Sequence, residues 1–199
     1  MKPKTDLFRH LAKSPMRTSE LVQLGFSRNQ LGRLVAAGKL TRLARGLYVL
    51  PGEHPDEHYS LILAMRQVSQ GVVCLLSALQ FHGLTTQIPR EVWVALEGRS
   101  HRPKVTGINV RFHRFTAAGF HQGIEEHVVS GVRLRIYGPT KTILDCFRLR
   151  SKIGLDVALE ALRDGLRMRK TTLNELDSLS RKLRIHSVVQ PYLELEAAS

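Results

Sequence analysis

The sequence predicts an α+β fold in two parts, a small helical module closed by a hairpin and a larger mixed domain behind it. Three observations lead there. Short helical patterns follow one another quickly at the start, β-branched runs group in the middle, and leucines at helical spacing fill the end.

Leu7, Phe8 and Leu11 form the first apolar stripe. Thr18 is placed to cap a second helix, Ser19–Leu24, with Leu21, Val22 and Leu24 facing inward. Gly25-Phe26 makes a tight turn. Ser27 begins a third helix, and Gln30 stands three positions on as its capping-box partner. Leu31, Leu34 and Val35 form the buried stripe of that helix, and Gly38 ends it in a left-handed cap. Two helices joined by a short glycine-containing turn are the helix-turn-helix signature. Leu40–Leu43 and Leu47–Leu50 then read as strands separated by Ala44-Arg45-Gly46, with Pro51 stopping the second, which fits a wing. The fold class is thus α+β, an N-terminal winged helix-turn-helix followed by a larger mixed α+β domain.

Glu53–Glu57, with Pro55, is a polar break. It divides the chain into a first domain at 1–52, a linker at 53–58 and a second domain at 59–199. Tyr59–Val68 and Cys74–Phe81 read as helices, and Glu91–Leu96, Val110–Phe115 and Val132–Tyr137 as strands bounded by Gly, Pro or charge. Gly138-Pro139-Thr140 opens a helix through Arg150. Leu155, Leu159, Leu162 and Leu166 have helical spacing, and Thr172 with Glu175 caps a last one carrying Leu173, Leu176, Leu179 and Leu183.

Thirty Lys and Arg against 17 Asp and Glu give a net charge of +13, a field that attracts polyanions. Residues 1–52 hold ten Lys/Arg against Asp6 and Glu20, so about a quarter of the chain carries most of the excess. Double-stranded DNA is the expected partner. Asn29 and Arg33 point opposite Leu31 on the third helix, with Arg28 and Gln30 flanking them. Asn and Gln pair with adenine and Arg with guanine in the major groove, and the small Gly32 and Ala36 permit close approach. Arg45 and Gly46 sit at the hairpin tip, where a cation reaches a phosphate or the minor groove. Arg42, on the first wing strand, completes a candidate DNA-binding set of Arg28, Asn29, Gln30, Arg33, Arg42, Arg45 and Gly46.

Other chemistries find little support. Cys74 and Cys146 are far apart with no CxxC, which suggests neither a zinc knuckle nor a disulfide framework. Pro55 breaks any helix joining His54 to His58, and His82, His113 and His127 beside strands or turns read as structural, so no metal site is expected. Glu97-Gly98-Arg99 faintly suggests a nuclease carboxylate, without the acidic partner or the E-x-K lysine. Lys141 and Asp145, four apart on one helix face, read as an ion pair rather than an acid–base couple. No Walker A, G-x-S-x-G or dinucleotide fingerprint occurs, and neither an enzyme nor a cofactor is expected. Met1–Lys13 lacks the apolar region of a signal peptide and no apolar run suffices to span a bilayer, so a cytoplasmic protein without membrane contact is expected.

Several segments together resemble the AbiEi family of antitoxins from type IV toxin–antitoxin systems. They are Leu43-Ala44-Arg45-Gly46-Leu47-Tyr48-Val49-Leu50-Pro51, Leu76-Ser77-Ala78-Leu79-Gln80-Phe81-His82-Gly83-Leu84-Thr85 and Pro89-Arg90-Glu91-Val92-Trp93-Val94-Ala95. Pro139-Thr140-Lys141-Thr142-Ile143-Leu144-Asp145-Cys146-Phe147 and Gly154-Leu155-Asp156-Val157-Ala158-Leu159-Glu160-Ala161-Leu162-Arg163 continue the likeness. Thr140 departs from it, since the family more often shows Ala there. The resemblance implies a winged helix that binds inverted repeats at its own promoter and represses the operon. It also implies a second domain that assists on DNA and counters a nucleotidyltransferase toxin encoded alongside, with no stable complex required. A plain transcription factor with an effector-binding second domain, and a DNA-processing nuclease, are the other readings the residues leave open.

Overall fold

The computed structural model describes Leu11, residues 14–52 and residues 57–198. Leu7, Phe8, most of the N-terminal segment before Ser14, and linker residues 53–56 with His54 and Pro55 lie outside them. The chain groups into two compact units. The first comprises residues 1–69, 103–109 and 128–134, and the second residues 70–102, 110–127 and 135–199. This grouping does not follow the linear boundary at 53–58, because the helix after the linker and two later segments join the N-terminal residues. Mixed helices and sheets make the fold α+β, with strands grouped in the middle and helices at the end, as the sequence predicts.

In the first unit, β1 (Met16–Arg17) leads directly into α1 (Thr18–Gln23). Arg17, not Thr18, holds the N-cap position. Its backbone N–H donates to Glu20 Oε2 at 2.6 Å, while the Thr18 N–H is taken by the carbonyl of Gly46 at 2.9 Å. Six residues turn only one narrow face inward: Leu21 is buried, and Val22, expected inside, is 48% exposed. The third-helix capping box forms as read. In α2 (Arg28–Ala36) Ser27 Oγ accepts from Gln30 N at 3.2 Å, and Gln30 Oε1 accepts from Ser27 N at 2.8 Å. Gly38 ends the helix at φ +66°, letting Lys39 N reach back to Leu34 O at 2.9 Å.

The wing has three strands, not two. β2 (Thr41–Ala44) and β3 (Leu47–Val49) pair antiparallel, and β1 adds to the free side of β3 through Met16 opposite Tyr48. Leu11, Leu21, Leu31, Leu40 and Tyr48 form the small core between helices and wing. Helix α3 (Tyr59–Gln67) belongs to this unit as well, with Leu61–Met65 buried. It is clamped to α1 by Arg66 Nη1 on Glu20 Oε1 at 2.6 Å and to β1 by Arg17 Nη2 on the Arg66 carbonyl at 2.6 Å.

A mixed sheet of order β6-β5-β4-β8-β7 is built mainly from residues of the second unit. The elements along this stretch are β4 (Val72–Val73), α4 (Leu75–Phe81), β5 (Val92–Glu97), β6 (Val110–Phe115), α5 (Ala117–Phe120), β7 (Ile124–Val129) and β8 (Val132–Tyr137). β5 runs antiparallel to β4 and parallel to β6. Ser130 and Gly131, at φ +48° and +78°, make the tight turn between β7 and β8. Helices α6 (Pro139–Arg148), α7 (Arg150–Ile153), α8 (Leu155–Arg167), α9 (Leu173–Lys182) and α10 (His186–Ala197) follow. Lys141–Phe147 of α6 are buried throughout, so α6 is the central helix, packed against α4, α8 and α9. Gly165 permits the close approach of α8, since a Cβ there would lie 2.7 Å from Ile143 Cδ1. The Thr172–Glu175 capping box forms as read, and Cys74 and Cys146 are free and buried.

Candidate nucleic-acid interface

Helix α2 turns Leu31 into the core at 0% exposure and presents Arg28, Asn29, Gln30 and Arg33 to solvent. Asn29 and Arg33 lie one turn apart and share a face. Gly32 between them has nothing within 4 Å of a Cβ built on it, which leaves the face low and approachable. Among the described residues, Arg28, Arg33, Arg42 and Arg45 are in no ion pair. Gln30 differs from its neighbours. Its amide oxygen already accepts the Ser27 N–H, which ties its side chain back to the helix cap and leaves one lone pair and the NH2 group for a further partner.

The wing tip is a two-residue turn of Arg45 and Gly46, with Arg45 exposed and Gly46 at φ +74°. A Cβ on Gly46 would approach Thr18 Oγ1 at 3.3 Å, and its carbonyl holds the start of α1, so the tip is fixed against the helices. Arg42 is exposed on β2. Leu43 is the extra residue of a bulge, since Arg42 faces Tyr48 while Ala44 faces Leu47. The Leu43 carbonyl accepts from Thr106 Oγ1 at 2.9 Å, and Gln67 holds Thr106 through its N–H at 2.9 Å and its carbonyl at 3.0 Å. Gly107, at φ +81°, lets Leu43 pack on the backbone, where a Cβ would meet Leu43 Cδ1 at 2.7 Å. These buttressing residues lie far along the chain and carry no local pattern that would have identified them. With Arg45 exposed on a braced tip, the DNA-binding reading expects Arg45→Ala to weaken all duplexes alike. The slope of log affinity against log salt should fall by about 0.9. Fluorescence anisotropy across a salt series checks this, and an unchanged slope places Arg45 off the DNA.

The remaining residues picked out by the sequence sit in the second unit. Lys141 and Asp145 form an ion pair within α6, as expected, but a buried one with side chains 1% and 2% exposed. Burial pushes the Asp145 carboxyl up and the Lys141 amine down, each opposed by the charge of the other. The Cys74 and Cys146 thiols and the Tyr137 phenol are likewise pushed well up by burial, which leaves them unreactive. Glu97 meets His121 Nε2 at 3.1 Å, and the His113 ring stands edge-on to Phe115 at 4.7 Å. His82 is buried, with Nε2 on the Tyr137 carbonyl at 2.8 Å, and its desolvation lowers its pKa. No helix among the described residues is long and apolar enough to cross a membrane.

The fold is similar to that of the Rv2827c protein from Mycobacterium tuberculosis, known from a crystal structure. The TM-score is 0.57 at 17% identity, over 92% of this chain and 75% of that one. No curated protein matches the chain. Residues 7–51, the span of the helix-turn-helix and its wing, match the family model of transcriptional regulators described as AbiEi antitoxin.

Proposed function

We propose that this chain is a DNA-binding transcriptional repressor and the antitoxin of a type IV toxin–antitoxin system. In this reading it binds inverted repeats in its own promoter through α2 and the wing. It also counters a nucleotidyltransferase toxin encoded alongside, in the cytoplasm and without a catalytic step of its own. The observation that carries the DNA half is the solvent-facing pair Asn29 and Arg33 opposite buried Leu31, with exposed Arg28 flanking them, on a segment that matches a regulator family. A helix that spends its apolar face on the core and keeps exposed arginines outward is suited to enter a groove.

Arg33→Ala in the full chain should cost about 1–3 kcal/mol at the operator and relax base preference at the position it reads. It should leave the fold intact, and cells carrying the induced toxin should still survive. Gel-shift titration and survivor counts check both halves. Unchanged operator affinity and selectivity would remove α2 from the reading role. Death of cells expressing wild-type protein beside the toxin would favour a plain transcription factor with no toxin to counter.

A further inference from the structure

Away from the helix-turn-helix, the fold gathers three side chains that the chain order keeps apart. His82 caps the C-terminal end of α4, while Glu125 and His127 stand on β7. Alternate residues of a strand share a face, so Glu125 and His127 point the same way. The Phe81 and His127 rings meet at 4.9 Å, and the His82 and His127 rings lie 5.8 Å apart. One donor atom from each of His82, Glu125 and His127 lies within 4.8 Å of the other two.

We propose that these three residues bind one divalent transition-metal ion of the zinc class, clamping the edge strand β7 to α4. Two imidazoles and a carboxylate form the borderline donor set such ions prefer over the all-oxygen sets of magnesium or calcium. His82 Nε2 donates to the Tyr137 carbonyl at 2.8 Å, which fixes the neutral tautomer and leaves Nδ1 as the nitrogen able to coordinate. A ligating histidine is oriented in this way, by its second nitrogen on a backbone carbonyl. His127 Nε2 and Glu125 Oε2 stand 3.1 Å apart. That is close to the separation of about 3.3 Å that tetrahedral ligation at roughly 2.0–2.1 Å imposes. Room for the carboxylate comes from Gly138, where any Cβ would collide with Glu125 Oε1. The Glu125–His127 ion pair accounts for two members of the group but not for the seating of a buried imidazole beside them.

The test uses the full chain, stripped with chelator and titrated with zinc or cobalt(II) chloride by calorimetry and, for cobalt, visible absorption. One equivalent should bind per chain, with a d–d band of tetrahedral intensity and a rise in melting temperature. Glu125→Gln is isosteric and lies on the exposed side of the strand, so it keeps the fold. It should lower affinity at least about 10-fold, the scale already set by losing an outer hydrogen-bond partner. His127→Ala should do the same and abolish the cobalt band. Absence of saturable binding at one equivalent overturns the proposal, and so does binding that Glu125→Gln leaves unchanged, which would place the metal on other histidines.

Discussion

Replacing Asp145 by alanine is expected to destabilise the protein by about 3–5 kcal/mol, because it strands a buried ammonium without its counter-charge. Lys141 Nζ bonds the Asp145 carboxylate inside α6, and it also lies over the ring faces of Phe115 at 4.6 Å and Tyr137 at 4.3 Å. Those faces attract a cation but do not accept hydrogen bonds as a carboxylate does. The double variant Lys141→Met/Asp145→Leu should recover most of the loss, since paired burial of two charges contributes little net stability and a thioether packs well on rings. Guanidinium unfolding of wild type, single and double variants gives the comparison. A single variant within about 1 kcal/mol of wild type would show that water reaches Lys141 after all.

On the proposed function, Leu31→Ala should remove sequence-specific DNA binding without touching the outward face of α2. Leu31 is fully buried among Leu11, Leu21, Leu40 and Tyr48, and truncating it costs about 2–5 kcal/mol in the usual range for such sites. A core this small has little reserve, so α2 should lose its fixed pose. Faster proteolysis within the first fifty or so residues should accompany the lost gel shift, whereas Arg33→Ala should lose affinity at a wild-type proteolysis rate. Wild-type operator affinity in Leu31→Ala would mean that the pose of α2 is held by something other than this core.

What the sequence discloses follows the range of the interactions concerned. The capping boxes at Ser27–Gln30 and Thr172–Glu175 are complete within four residues, and both stand where the pattern puts them. The outward face of α2 follows from the buried position of Leu31 alone. β1 and β4, with two residues each, are too short to show a period, so the third wing strand and the strand between β5 and β8 are invisible beforehand. β7 is a polar edge strand, and α10 carries Pro191 inside it, which reads as a breaker. The buttress of the wing is hidden for a different reason: Gln67, Thr106 and Leu43 meet only in the folded chain. So do His82, Glu125 and His127, of which the two histidines look like isolated structural residues in the linear order.

The composition of the first unit also bears on how it is made. Because residues 103–109 and 128–134 belong to it, the ribosome must reach residue 134 before the module has all of its parts. At about 5–20 residues per second, several seconds separate synthesis of Ser69 from that point. During this interval the bulge carbonyl of Leu43 waits for Thr106. The nascent chain therefore acquires a braced wing late in its synthesis, after α2 itself has already emerged.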